Sequence, residues 1–302
     1  MMAQNLTAAL AQQNKPQWRA ELLLSCKKLA QGTRLVGTRH YGPLYIQKPF
    51  YPEGPDCMHL YPLHPPGGVV SGDSLHLRLD ASASAELLLT TPGALRFYKA
   101  RETDLSGKAT QVVSNLFSIA EHSTVEYLPM ETIVFNGAQA RNETCVHLDD
   151  TSQFIGWDIV CLGLPARAEF FTRGLFLQNL EIYRAQRPLF IDLLRCDANN
   201  GVVTSRAGLA GCTVYGTLLC VPSCRFDSSL QAIDQHLTEL RSAINSKGYA
   251  EEISLSWFNS MFVARYLGNS SERARQGFEQ VWSMLRPKLS GRSACAPRIW
   301  RT

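Results

Sequence analysis

The chain has 302 residues, of which 45% are hydrophobic and 19% charged, and carries a net charge of +4. That balance excludes an intrinsically disordered chain, and no run of about 18 apolar residues is present to cross a bilayer. The charge is too small to point to nucleic acid, and the length is enough to bury a core without covalent staples. The nine cysteines, an odd number with no CxxC pair, suit reduced thiols better than a secreted disulfide scaffold. The opening MMAQNLTAALAQQNKP lacks the charged and apolar regions of a secretory signal. A soluble cytoplasmic protein is expected.

In chain order, residues 1–17 read as a disordered tail, 18–222 as a β-rich core, and 223–302 as an α+β portion ending in a basic tail. Residues 43–73 hold seven prolines and four glycines among aromatics and aliphatics. Each proline fixes its own φ and biases its predecessor to an extended form, so this segment reads as a rigid path over a surface. It ends in a turn at Gly67-Gly68 and the carboxylate Asp73. Beyond it, Ser74–Asp80 alternates Leu75, Leu77 and Leu79 with His76, Arg78 and Asp80, a strand pattern. Further strands are predicted at Ala85–Thr91, Gln111–Ile119, Thr124–Leu128, Thr132–Asn136, Thr144–Leu148 and Phe154–Leu162. The series continues at Ala168–Thr172, Leu177–Tyr183, Leu189–Arg195 and Thr213–Val221.

Helix signals are confined to the last quarter. Ser228-x-x-Gln231 reads as a capping box, with Leu230, Ile233, Leu237, Leu240 and Ile244 forming one stripe and Gly248 a stop. A hairpin follows at Ile253–Trp257 and Met261–Leu267. A second helix starts near Ser271, buries Ala274, Phe278, Val281, Trp282 and Leu285, and is expected to end before Pro287. Arg286, Lys288, Arg292, Arg298 and Arg301 follow the last acidic residue, Glu279, as either a solvated tail or a partner-facing patch. The fold class expected is mainly β, in stacked short-strand layers that are β-helix-like or sandwich-like, with two C-terminal helices.

No P-loop, dinucleotide fingerprint, HExxH or G-x-S-x-G elbow is present, so nothing in the chain encourages an enzyme. Cys57, His59 and His64 offer one thiolate and two imidazoles within eight residues, ligands suited to a borderline metal such as Ni(II). The alternative is that they pack and satisfy backbone groups in a proline-rich loop. Two carboxylates fall on apolar strand faces: Asp158 beside Gly156, Val160 and Leu162, and Asp192 beside Phe190 and Leu194. A carboxylate in a β core needs a partner, water or a metal. It belongs either to a buried ion pair with an Arg or Lys, or to hydrogen bonds that pin a turn, or to the wall of a water-filled passage that binds a hydrated divalent cation weakly.

The segment GPLYIQKPFYPEGPDCMHLYPLHPPGGVVSGD also has the residue order of the D/H-type urease accessory proteins (UreD, or UreH). TTPGALRFYKA (90–100), YLPMETIVFNGA (127–138) and WDIVCLGLPARAEFF (157–171) resemble further blocks of that family, as do VARYLG, W-x-x-LRPKLSG and PRIW near the end. Departures from the family pattern are Met130 for Gln, Leu164 for Arg, Ala168 for Gly and Met58 between Cys57 and His59. At Asp192 the family more often has Glu. By motif, the resemblance adds Asp73 and Glu169 to Asp158 and Asp192 as acidic positions of a transient nickel passage. It implies a non-enzymatic scaffold with no permanently bound cofactor. Its partners would be urease apoprotein, the F-type accessory protein (UreF) and, through the complex, the G-type nickel GTPase (UreG). A stand-alone nickel metallochaperone using Cys57 and His59 is the alternative. The C-terminal helices, the basic tail and the 43–73 segment are the expected docking elements.

Overall fold

A computed structural model describes residues 18–301, so the tail predicted for 1–17 lies outside the described residues. The first half holds β1 (Arg19–Leu29), β2 (Gly32–Tyr41), β3 (Tyr45–Ile46), β4 (Cys57–Leu60), β5 (Pro62–Leu63), β6 (Ser74–Ala81), β7 (Glu86–Leu89) and β8 (Leu95–Phe97). Next come β9 (Gln111–Ile119), β10 (Thr124–Tyr127), β11 (Thr132–Val134), β12 (Gln139–Leu148), β13 (Gln153–Leu162) and β14 (Leu175–Arg184). The chain closes with β15 (Arg187–Asp197), β16 (Val214–Val221), α1 (Leu230–Ser246), β17 (Ile253–Phe258), β18 (Met261–Gly268) and α2 (Ser271–Ser290).

These strands form two large sheets. One runs β15-β14-β12-β9-β6-β1-β2, the other β17-β18-β16-β13-β10-β7-β4, with β11 and β8 continuing from β13. From β6 to β14 the chain passes alternately between them, and within each sheet the successive strands pair in parallel. The antiparallel pairs β1–β2 and β14–β15 close the ends of the first sheet, and β16, β18 and β17 extend the second. Both expectations therefore hold: the winding is helix-like and the result is a sandwich.

Alternation along β13 decides which layer meets which. Phe154, Val160 and Leu162 join the core between the sheets, with Leu77, Phe117, Val146 and Phe176. Ile155, Trp157 and Ile159 face the helices, against Leu218, Phe278 and Trp282. Each such side chain contributes about 1.5–3 kcal/mol of burial free energy. The central strand is thus covered on both faces, which explains its near-continuous apolar run.

Four expectations need correction. The α1 cap is Ser229, not Ser228: its Oγ accepts from Ala232 N at 3.3 Å, while Asp227 Oδ1 accepts from Ser229 N. Helix α2 runs through Pro287 to Ser290, because a proline in the last turn breaks few bonds and Gly291 supplies the left-handed stop (φ 70°). Residues Ala168–Thr172 are not a strand; a 3₁₀ turn at Pro165–Arg167 is followed by Ala168 with φ 56°. The supposed basic tail is largely engaged: Arg286 is fully buried, Arg292 bonds Glu86 and Lys288 bonds Glu239, which leaves Arg298 and Arg301 exposed. No helix among the described residues is long and apolar enough to cross a membrane.

Candidate functional site

Inward-facing positions of the first sheet should be apolar, yet several are not. Asn115 on β9, Asn142 and Thr144 on β12 and Gln178 on β14 are buried and point between the sheets. Asn115 Nδ2 donates to Thr144 Oγ1 at 3.1 Å, and Gln178 Nε2 donates across the sandwich to Asp158 Oδ2 at 2.6 Å. Asn142 Oδ1 and Gln178 Oε1 are buried without a protein hydrogen-bond partner, and the buried Tyr215 hydroxyl has the Cys196 thiol beside it. Orphaned polar atoms of this kind are normally satisfied by water or an ion.

They face two cavities. The larger, about 460 Å³, is lined by Asp158, Gln178, Tyr215, Asp192 and Arg265 among others. The smaller, about 220 Å³, has Asp158, Asn115, Asn142, Tyr127 and His64 in its wall. The first lies on the β16 side of β13 and the second on the β10 side, so Asp158 stands between them. Burial pushes its carboxyl up to about 7, against the opposing hydrogen bond from Gln178. A carboxyl shifted this far by burial, with one amide donor as its partner, changes protonation state around neutrality.

Asp192 sits at the outer part of the larger cavity, half-buried, and Arg265 Nη1 meets its Oδ2 at 2.8 Å. At the other end, Gly67 takes a φ of 74°, and a Cβ on Gly68 would stand 2.3 Å from the Tyr98 ring, so this turn requires glycine. The turn accepts Gly67 N at His64 O (2.9 Å) and holds the imidazole in the smaller cavity. Burial lowers the His64 pKa, opposed by the nearby Asp73.

The sequence-predicted residues separate on this map. Asp158, Asp192 and His64 line the cavities. Asp73 is buried but lines neither; its Oδ2 accepts from Val70 N at 3.1 Å and secures the glycine turn. Glu169 is exposed on the turn after Ala168, because the strand that would have turned it inward does not form. Sequence reading missed Gln178, Asn142, Asn115, Tyr215 and Arg265. The available signal was a polar residue at an inward position, Asn115 in QVVSNLFSI being the clearest.

Cys57 and His59 come together without His64. Their strand and the preceding turn place them beside Glu53, with one ligand atom from each of the three within 4.8 Å. Two guanidinium nitrogens of Arg286 already occupy Glu53: Nη1 donates to Oε2 at 2.6 Å and Nη2 to Oε1 at 2.8 Å. His59 Nε2 lies 2.7 Å from Glu53 Oε1. Arg286 Nε also donates to Glu126 Oε1 at 2.8 Å, and Trp282 Nε1 to Glu126 Oε2 at 2.6 Å. Burial alone would raise the Glu53 carboxyl, but bonds from His59 and Arg286 outweigh it and hold it at about 2. Burial, then the Glu53 charge, pushes the Cys57 thiol up, so it is not a ready thiolate. This cluster is a buried network in which Arg286 and His59 already engage Glu53, while His59 Nδ1 is left without a hydrogen-bond partner.

Together these features define a class: a β-sandwich scaffold whose apolar interior holds cavities with a few carboxylate and amide side chains in their walls. The chain belongs to the UreD urease accessory protein family, whose model matches residues 19–301. It is 39% identical over 293 residues to the urease accessory protein UreD of Psychromonas ingrahamii, covering 95% of each chain. It is 40% identical over 290 residues to UreD of Dechloromonas aromatica, covering 96% of each. With UreD of Pseudomonas fluorescens it shares 38% identity over 299 residues, 99% of this chain and 100% of that one.

Proposed function

We propose that this chain acts in urease maturation as a non-enzymatic scaffold and conduit, passing nickel through its interior toward the buried metal site of urease apoprotein. It does so bound to urease apoprotein and UreF, with UreG delivering nickel through the complex. The observation that carries the reading is Asp158, which lines cavities on both sides of the central strand. Nickel is cargo here. Oxygen and amide ligands on the path bind a divalent ion more loosely than a thiolate–imidazole cage would, which favours onward release. The nine free cysteines suit a reducing cytoplasm.

The test is activation of urease by the reconstituted accessory complex carrying Asp158→Asn or Asp192→Asn. The expected result is normal assembly with slower activation; normal activation in both variants would remove the passage. The stand-alone metallochaperone keeps one supporting observation, the proximity of Glu53, Cys57 and His59. It predicts stoichiometric nickel on the isolated chain that Cys57→Ala abolishes, and Arg286 in that space weighs against it.

A further inference from the structure

The larger cavity has an unbalanced wall. Asp158, Asp192, Glu251 and Glu252 line it, and Arg265 is the one basic side chain among its lining residues. Glu252 is held by Arg273 and by the Tyr266 hydroxyl, so Arg265 has been left to Asp192. The pair spans the two sheets, Asp192 on β15 of the first and Arg265 on β18 of the second. Arg265 is also 5.9 Å from the Phe190 ring centroid, so its stem and head have a seat beside the opening. About half of its side chain is exposed (51%), as is about a third of that of Asp192 (31%). An ion pair this exposed is easily opened.

We propose that Arg265 is an electrostatic gate for the passage: seated on Asp192 it denies that carboxylate to a divalent cation, and only when it swings away does the cavity take its cargo. The proposal rests on the conduit reading and adds a residue to which that reading assigned no role. The physical reason is charge. A guanidinium on Asp192 both satisfies the oxygen that would bind the ion and repels the approaching dication. The remaining carboxylates then attract the ion once the guanidinium has left.

The experiment measures Ni(II) binding to the purified full chain by titration calorimetry, with Ni(II) alone as the probe. Arg265→Gln should bind Ni(II) about tenfold more tightly, the effect of removing one unit charge a few ångströms from a dication in water. The double variant Arg265→Gln/Asp192→Asn should lose that gain, which separates this carboxylate from surface histidines. Arg265→Met, which keeps an apolar stem beside Phe190, reads the same quantity; whichever variant is folded by circular dichroism decides. Unchanged or weaker affinity in the folded variant, or a gain that survives Asp192→Asn, overturns the gate. Failure of the gate leaves Asp158→Asn and Asp192→Asn slow in urease activation, whereas failure of the conduit leaves them normal.

Discussion

Two regions of this molecule bury carboxylates, and they treat them in opposite ways. Around Arg286, the carboxylates of Glu53 and Glu126 are matched by a guanidinium, an indole N–H and an imidazole. Around Asp158, the protein supplies one amide N–H from Gln178 and leaves space on both sides. The first arrangement welds α2 to β10 and the loop before β4. The second leaves a carboxylate without a charged partner. Burial of an acid therefore does not mark a functional site by itself; the supply of partners does.

Glu53 and Asp158 differ in the sign of their pH dependence, whereas Glu126 is raised by burial as Asp158 is. Glu53, held at about 2 against an ordinary 4.5, contributes stability above its unfolded value that is lost as pH falls toward 2. Asp158, raised from 3.8 to about 7, contributes in the other sense: the folded chain keeps a proton that the unfolded chain releases, so stability falls as pH rises through that window.

The sharpest way to break the contrast is Arg286→Met. It strands two buried carboxylates and should cost about 3–5 kcal/mol, read as a large drop in the urea midpoint. A change under a tenth of that size would mean that water, not the guanidinium, satisfies the two carboxylates. Trp282→Phe removes a single charged-acceptor hydrogen bond to Glu126 and should cost about 1.5–3 kcal/mol by the same measurement. Asp158→Asn should instead stabilise the chain by about 1–3 kcal/mol at pH 8, the difference fading as pH is lowered to 4. Denaturation at both pH values checks this, and a pH-independent difference would assign the effect to packing. Glu169→Gln, on an exposed turn, should shift stability by no more than about 0.5 kcal/mol and leave urease activation unchanged. Impaired activation there would extend the functional surface beyond the interior.

How much of this was legible depended on whether the information was local. The stripe Ile233, Leu237, Leu240 and Ile244 and the alternation of Leu75, Leu77 and Leu79 are short-range patterns, and the elements form where those patterns run. Asp158 and Asp192 could be singled out because each breaks an apolar alternation within its own strand. Strands β1 and β2 escaped notice: Leu22-Leu23-Leu24 fits strand or helix equally, and β2 lies at the sheet edge with few buried positions. Arg286 was read as surface, although it continues the buried α2 stripe of Phe278, Trp282 and Leu285. What reverses the reading are two glutamates 160 and 233 positions away, and no window of sequence contains them. Gln178 had the same difficulty, since its acceptor lies on the opposite sheet.

That separation of 233 residues has a kinetic side. As the chain leaves the ribosome, the loop carrying Glu53 and the strand carrying Glu126 emerge long before α2, and their carboxylates lack the Arg286 partner until it arrives. The contact that joins these residues cannot form before α2 has been made. Non-local contacts of this order slow folding and lengthen the time that apolar strand faces remain open to other chains. Helix α2 thus contributes the buried cation on which two distant glutamates depend.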